Sequence, residues 1–468
     1  MNLKLVCTAV LTTVFATSSF AMTLEEYLQI VKKKNKVFSS LAASVEASNS
    51  KAVAGDVVLA PVLTAGYSLS TDKSLPSSIG DKREVSEYNL GVSKKFITGT
   101  TIGVSGKTDE FRNDTNFTTT PGLDKYSTGG LGVTLQQSLW KDFFGAGTRI
   151  RQDLDRTINQ IETVNLDLQM RAALFDAEST FWDYTVADED LKLQQANFDR
   201  AKKMEQWTSN RVTNGISDRA DLMNVRALAA LREVQLSTAQ DEIKMQEAKF
   251  REYLELADGE PTPVATGDIM QARNYMAQLS KNKDVIKMDA YLSSLQAKSK
   301  KLVADQIGDL YKPDLALLAS YNTSSYDREY SEMTKNIAKT DRPRTFIGVN
   351  FTWMFDTDAK LATINSAQKD ALASKYAAER AITLGKIAWS DLQRKYETTS
   401  KNVLTLEKVA KFQRERAKAE QDKFGKGRTI TSNVVLAETD AAEAEVNLLR
   451  AKSGLRKLEA SSILFIAL

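Results

Sequence analysis

The chain has 468 residues, of which 42% are hydrophobic and 26% are charged, and its formal net charge is only +3. A charge this small does not indicate a nucleic-acid partner, because phosphate-binding domains are normally strongly basic. The sequence has no histidine and a single cysteine, Cys7, so the commonest acid–base groups, nucleophiles and soft metal ligands are missing. We therefore predict that the chain is not an enzyme and has no catalytic, cofactor-binding or metal residue.

Residues 1–21 have the pattern of a secretory signal peptide. Lys4 supplies the charge, an apolar stretch follows it, and Ala21 ends a small-residue cleavage site. A lipoprotein signal using Cys7 is disfavoured, because Lys4 stands only three residues before it and no apolar run separates the two. Beyond this segment no run approaches the ~18 uncharged apolar residues of a transmembrane helix. An exported chain of this kind is either soluble or enters a membrane as β-strands.

Six segments alternate apolar with small or polar residues, which is typical of strands that have one apolar face. Long connections alternate with short ones, and aromatic residues cluster at the strand ends, as they do in outer-membrane β-barrels. A soluble β-sandwich is the alternative interpretation of the strands alone. The predicted strands span about 59–71, 85–96, 100–110, 126–140, 313–325 and 345–356.

Two segments without proline, 145–207 and 357–424, follow the two groups of strands. Sixty-odd helical residues would form a rod of about 95 Å, which is longer than an ordinary globular helix. Apolar positions recur with four-three spacing, which indicates coiled-coil packing. Shorter helices are predicted from Thr23 to about Val53, with a capping box at the start, and over 218–256, about 267–310, and 430–464.

The sequence matches itself at an offset of 212 residues, with Asn214-Gly215-Ile216-Ser217 aligned to Lys426-Gly427-Arg428-Thr429. Each half reads as strands, a very long helix, a glycine turn and a second helix. This indicates two internal repeats, 22–257 and 268–468, joined by a Pro/Gly-rich linker at 258–267.

On these features the chain resembles the TolC-like outer-membrane efflux protein family over residues 22–468. The resemblance rests on Pro61 and Pro313, which open the first strand of each half, and on the two glycine turns. It implies an α+β membrane protein: a homotrimeric outer-membrane β-barrel continued by a long α-helical barrel in the periplasm of a Gram-negative bacterium. It also implies passive export, in efflux or type I secretion, of substrates delivered by an inner-membrane transporter through a periplasmic adaptor.

The resemblance also implies roles for residues at the two tips of the helical hairpins. Segments that match the adaptor-docking turns are Asn214, Gly215, Ile216 and Ser217 in the first half, and Gly427, Arg428 and Thr429 in the second. A glycine after a long helix is equally explained as a left-handed C-terminal residue, and both interpretations stay open.

The candidate entrance residues are Asp221, Arg428, Asn433 and Leu436. The family can place carboxylates six and nine residues after the second glycine, but this chain has Asn433 and Leu436 there. We therefore expect a narrower or more apolar seal in place of a charged ring. Asp221 and Arg428 are predicted to form a latch between neighbouring hairpins, although charge complementarity with a helix N-terminus also explains Asp221.

The hairpin at 84–112 departs from the family, whose members usually contribute four strands per protomer. Either the barrel is wider, with about eighteen strands, or the hairpin lies outside the wall; its tight turn and strand lengths favour insertion. Since eight strands make only a filled barrel, six strands of one protomer are too few to enclose a channel, which favours a trimer. The alternative function is a barrel-anchored coiled-coil adhesin or structural envelope protein without transport.

Overall fold

A computed structural model of the chain describes residues 21–73, 82–114, 124–266, 275–282 and 284–467. Apart from Ala21, the predicted signal peptide lies outside these residues. The strands are β1 (Ala21–Met22), β2 (Val62–Asp72), β3 (Lys82–Lys95), β4 (Thr100–Asp114), β5 (Lys125–Ser138), β6 (Val264–Ala265), β7 (Val285–Lys287), β8 (Asp314–Asn322), β9 (Ser325–Asp327), β10 (Arg344–Thr352) and β11 (Phe465–Ala467). The helices are α1 (Leu24–Lys34), α2 (Lys36–Ala54), α3 (Ala146–Thr213), α4 (Arg219–Leu254), α5 (Tyr275–Leu279), α6 (Met288–Leu310), α7 (Tyr330–Lys335), α8 (Asp358–Gly425) and α9 (Thr431–Ser461).

The chain divides into two compact units. The first, here called the sheet unit, comprises Val45–Asn165 and Tyr291–Ala381. The second, the helical unit, comprises the described parts of Met1–Ser44, Leu166–Ala290 and Ile382–Leu468.

The sheet unit contains one continuous antiparallel sheet in the order β10-β8-β5-β4-β3-β2. The short strand β9 extends the sheet by pairing with β5 beyond the end of β8. Strands β2 and β8 each begin at the residue after a proline, Pro61 and Pro313, which suits a residue that has no N–H to donate. The outer strands β2 and β10 have no second partner among the described residues, so the sheet is open within one chain.

The turn between β5 and α3 is fixed by the carboxylate of Asp142. This carboxylate accepts hydrogen bonds from the backbone N–H of Thr148 at 2.7 Å, from the Thr148 hydroxyl at 2.8 Å and from the ammonium of Lys95 at 2.8 Å. Burial alone would raise the pKa of Asp142, but the hydrogen bonds from Lys95 and Thr148 outweigh burial and lower it. Asp142 is therefore ionised at neutral pH and anchors the start of the long helix.

The two long helices, α3 and α8, have 68 residues each, or about 100 Å at 1.5 Å per residue. Gly385 is the interior glycine of α8. A Cβ built at Gly385 would lie 3.1 Å from the Cβ of Ala290 and 3.2 Å from the backbone nitrogen of Lys287. The glycine thus lets the start of α6 approach the long helix closely. None of the helices in the described ranges has a stretch long and apolar enough to cross a membrane.

The helical unit has two separate hydrophobic clusters away from the tips. In the first, Tyr27 of α1 stacks on Phe250 of α4 with ring centroids 4.7 Å apart, beside Phe181 of α3. In the second, Trp389 of α8 packs against Phe465 of β11 at 5.3 Å. Both clusters join segments that are distant in sequence, so they hold the shorter elements against the long helices.

The first helix differs from the prediction. The sequence predicts one helix from Thr23 to about Val53, and the structure has the capping box of Thr23 and Glu26 at its start. However, Asn35 has an extended ψ of 129° and separates α1 from α2. The Asn35 side chain accepts a hydrogen bond from the N–H of Val37 at 2.9 Å and donates one to the backbone oxygen of Tyr253, on α4, at 3.1 Å. These side-chain bonds replace the helical ones at this position.

Two other segments contain elements that the sequence did not indicate. The predicted helix at about 267–310 falls partly on residues 267–274 and 283, which are outside the described chain; the rest forms α5, β7 and α6, with β7 paired to β11. The connection after β8 contains β9 and α7, and the buried Met333 of α7 packs over Gly129 of β5. Pairing with a strand far away in sequence leaves no local periodic signal.

We expect Gly145→Ala to lower the free energy of unfolding by at least about 2 kcal/mol. Gly145 has φ +81°, and a Cβ there would clash with the backbone oxygen of Ile97. As a matched control, Gly308→Ala in α6 should raise stability by about 0.5 kcal/mol, because nothing lies within 4 Å of its Cβ position. Thermal unfolding of the two purified variants measures both effects, and equal midpoints would contradict the assignment.

Candidate functional site

The turn after α3 has the geometry of a Schellman C-cap. Gly215 has φ +68°, its N–H donates to the oxygen of Val212 at 3.0 Å, and the N–H of Ile216 donates to the oxygen of Arg211 at 2.8 Å. A Cβ at Gly215 would meet nothing within 4 Å. Its backbone conformation, and not a lack of space, therefore requires the glycine.

The turn after α8 repeats this geometry 212 residues later. Gly427 has φ +71°, its N–H donates to the oxygen of Phe424 at 3.0 Å, and the N–H of Arg428 donates to the oxygen of Lys423 at 2.9 Å. The aligned glycines thus close the two long helices in the same way. This local role accounts for each glycine by itself, and docking at the turns stays a separate prediction.

At the first tip, the predicted latch residue Asp221 is engaged within its own turn. The Ser217 hydroxyl donates to Asp221 Oδ2 at 2.9 Å. Asp221 also lies in the first turn of α4, where a carboxylate complements the helix dipole. The described part of the chain shows no ion pair between Asp221 and Arg428. Asn214 and Ile216 are exposed, so the tip presents an amide and an apolar side chain.

At the second tip, Glu420 holds the turn, a residue that the sequence did not single out. Glu420 accepts from the Thr429 hydroxyl at 2.9 Å and from the Lys423 ammonium at 2.7 Å. These two hydrogen bonds, from Lys423 and then Thr429, lower the pKa of Glu420. The Asn433 amide in turn donates to the Thr429 hydroxyl at 3.3 Å. Thr429 and Asn433 are therefore brought together around one carboxylate.

The remaining candidates at the second tip point outward. Arg428 is exposed, and its side chain forms no hydrogen bond or ion pair with the described residues. Leu436 is 53% exposed and Ile430 is 63% exposed. This tip therefore presents a cation and two apolar side chains, with no carboxylate at the positions of Asn433 and Leu436.

The two hairpins α3–α4 and α8–α9 share a core immediately behind the tips. The rings of Trp207 and Phe424 meet edge to face at 4.8 Å, and the Arg211 guanidinium lies 5.3 Å and 5.1 Å from the two ring centroids. Arg211 also donates to the backbone oxygen of Phe424 at 3.3 Å. Val225 and Val434, both fully buried, lie in the same cluster. The position of one tip thus depends on the other.

Farther from the tips, a partly buried charge cluster connects all four helices of the hairpins. Arg414 of α8 donates to Glu445 at 2.7 Å and lies 3.0 Å from Glu438, both on α9. Arg200 of α3 lies 3.5 Å from Glu438, and Arg232 of α4 donates to the Glu438 backbone oxygen at 3.4 Å. Burial lowers the pKa of Arg200 and Arg232, but a guanidinium stays protonated at ordinary pH.

Sequence reasoning missed this cluster. With 26% charged residues, a buried arginine on a long helix looks like a residue of a solvated face. The one available signal is the seven-residue spacing of Glu438 and Glu445, which places both on one face of α9. Among the described residues, no group of three or more His, Cys, Asp or Glu side chains could hold a metal ion.

No family model matches the sequence, and no curated protein matches it significantly. Solved structures do match. The outer-membrane channel OprN has a TM-score of 0.66 at 14% identity over 94% of this chain and 89% of that chain. The channel MtrE of Neisseria gonorrhoeae, in its open state, matches with a TM-score of 0.63 at 15% identity over 94% of this chain and 88% of that chain. The outer-membrane protein VceC of Vibrio cholerae matches with a TM-score of 0.62 at 12% identity over 94% of this chain and 95% of that chain.

The chain has the TolC-like outer-membrane channel fold. This confirms, at the level of the fold, the resemblance that the repeats and tip turns predicted. The TolC-like fold here is helix-rich and carries an open sheet of six main strands and the short strand β9. The prediction that the chain is not an enzyme agrees with these matches, which are to channel proteins.

We expect Glu438→Gln to lower the free energy of unfolding by about 2 kcal/mol, because it removes the carboxylate that the half-buried Arg200 and Arg414 share. Glu443→Gln is the matched control: it lies on the same helix, but its side chain is exposed. Its effect should stay within about 0.5 kcal/mol. Urea unfolding followed by helical circular dichroism compares the two, and equal midpoints would show that the cluster does not stabilise the hairpins.

Proposed function

We propose that the chain is one protomer of a homotrimeric export channel in the outer membrane of a Gram-negative bacterium. In this proposal the sheet unit forms part of a β-barrel in lipid, and the helices form a tunnel in the periplasm. Substrates leave passively after an inner-membrane transporter and a periplasmic adaptor deliver them to the helical tips. The exposed apolar face of the sheet is the single observation that carries the proposal.

This face is visible in one row of paired residues across five strands. Leu63, Val92, Val104, Val133 and Tyr321 are consecutive register partners. Their exposed fractions are 67%, 46%, 55%, 49% and 42%. A soluble protein rarely exposes so continuous an apolar surface, whereas the wall of an outer-membrane barrel requires it.

The opposite face of the same strands is polar or small. The neighbouring register row consists of Thr64, Gly91, Ser105, Gly132 and Asn322. A soluble sandwich would need the apolar face to be buried against a second sheet. A sheet with lipid on one side and a water-filled lumen on the other accounts for both faces.

The two free edges of the sheet support closure by additional copies. Because six strands alternate in direction, β2 and β10 run antiparallel to each other, so β10 of one copy can pair with β2 of the next. Unpaired backbone groups are not tolerated in the hydrocarbon region of a membrane. The number of copies, three, is proposed from the TolC-like fold, because the sheet alone does not determine it.

The adaptor is proposed to dock at the two tips, through Asn214–Ser217 and Gly427–Thr429. These turns are held rigidly by their C-caps, and Ile216 and Arg428 project from them into solvent. A preorganised turn with an exposed apolar side chain and an exposed cation suits a protein partner, because little conformational entropy is lost on docking.

Conductance separates this function from the adhesin alternative. The mature protein, reconstituted in a planar lipid bilayer, should give discrete single-channel currents, small while the entrance is closed. A barrel-anchored adhesin should give none. If the reconstituted protein carried no current even after variants that open the entrance, the export proposal would be wrong.

The latch between Asp221 of one copy and Arg428 of its neighbour is part of the proposal. Arg428 has an exposed guanidinium, and Asp221 keeps one carboxylate oxygen beyond its bond with Ser217. We expect Asp221→Ala and Arg428→Ala each to raise single-channel conductance several-fold. The exposed neighbours Asp218→Ala and Lys426→Ala serve as charge-matched controls and should leave it unchanged. Unchanged conductance in both latch variants would remove the latch.

A further inference from the structure

We propose that the hairpin β3–β4 is part of the membrane wall, so that three copies close an eighteen-stranded barrel with a wide exit. This inference rests on the trimeric channel proposed above. It resolves the departure seen in the sequence, where the hairpin at 84–112 exceeds the four strands that the TolC-like family usually contributes.

The pairing pattern gives the first argument. Strand β2 pairs with β3 along its whole length, from Val62 to Asp72, and β5 pairs with β4 from Lys125 to Gln137. A four-stranded wall would require β2 to pair with β5, which would break both of these ladders. With 14 and 15 residues, β3 and β4 also exceed the 9–11 residues that a membrane-crossing strand needs.

The faces of the hairpin give the second argument. Its outward residues Tyr88, Leu90, Val92 and Val104 are 43%, 58%, 46% and 55% exposed. Val92 and Val104 continue the apolar row that joins Leu63 of β2 to Val133 of β5. On the same face, Leu90 and Tyr88 pair with Gly106 and Thr108 of β4. A hairpin surrounded by water would have no reason to keep this alternation in register with its neighbours.

Crowding on the polar face gives the third argument. A Cβ added at Gly103 of β4 would lie 2.6 Å from the Thr134 hydroxyl of β5. A Cβ at Gly66 of β2 would lie 2.8 Å from Asn89 Oδ1 of β3. Side chains of β5 and β3 therefore pack over glycines of β4 and β2 on this face, so the hairpin is in close contact with both neighbouring strands.

The hairpin turn is also fixed to the end of β5. The N–H of Ser138 donates to the Gly99 oxygen at 3.4 Å, and the Gln137 amide donates to the Thr98 oxygen at 3.2 Å. A Cβ at Gly99 would lie 3.0 Å from the Asp142 oxygen, in the turn that begins α3. The tight end of the hairpin is thus packed at the sheet-to-helix junction and does not swing free.

The consequence concerns the size of the cargo. At a strand spacing of about 4.8 Å and a tilt of about 40°, eighteen strands give a backbone diameter of about 36 Å, against about 24 Å for twelve. At equal tilt the cross-section is then about twice as large. The exit accepts bulky polymers, such as an extended or partly folded polypeptide, as well as small solutes.

Single cysteines test the position of the hairpin directly, because Cys7 is the only native cysteine and lies in the predicted signal peptide. In the full chain within outer-membrane vesicles, Val92→Cys and Val104→Cys should react with a membrane-impermeant maleimide at least tenfold more slowly than Asn89→Cys and Ser105→Cys. The former pair faces outward and the latter pair faces the polar side. Val133→Cys and Thr134→Cys on β5 provide the same comparison for the wall itself.

Each outcome has a separate meaning. Protection of Val133→Cys, Val92→Cys and Val104→Cys supports the wide barrel. Protection of Val133→Cys with fast labelling at Val92→Cys and Val104→Cys overturns this inference and leaves the channel standing. Fast labelling at Val133→Cys overturns the channel as well.

A measurement on the unmodified protein guards against misfolded variants. Electron cryo-microscopy of the detergent-extracted assembly should show eighteen strands in cross-section. A trimer with a twelve-stranded ring would overturn the inference, and a particle without a ring would overturn the proposed function.

Discussion

The strict alternation of side chains along six paired strands is the constraint on which the rest of the sheet unit depends. A shift of one residue in any ladder would move every apolar side chain of that strand to the other face. In the structure the row through Leu63, Val92 and Val133 stays on one side, and the row through Thr64 and Ser105 stays on the other. The sheet consequently has an apolar face and a polar face, together with two edges that have no partner among the described residues.

Much of this organisation is legible in the sequence, because it depends on local patterns. Side chains along a strand alternate with a period of two. Proline has no N–H to donate to a neighbouring strand, so it marks the start of a strand. Glycine marks the residue in the left-handed conformation that ends a long helix. The structure shows strands starting after Pro61 and Pro313, and left-handed glycines at Gly215 and Gly427. Each of these features is decided by one residue and its immediate neighbours.

The features that sequence reasoning missed depend on distant partners. Asn35 breaks the first helix because its side chain bonds to its own backbone neighbours and to α4. Strand β7 exists because β11 lies beside it, almost two hundred residues later in the chain. Glu420 has its role only because the turn brings Thr429 back to it. None of these contacts has a period or a spacing that a linear pattern would show.

The interior glycine of α8 makes the two long helices differ at one close packing contact. The residue 212 positions before Gly385 is Ala173, on the first long helix. An alanine at position 385 would place a methyl group 3.1 Å from the Cβ of Ala290 and 3.2 Å from the backbone nitrogen of Lys287. The two long helices are therefore not interchangeable at this position, although the turns that end them have the same geometry.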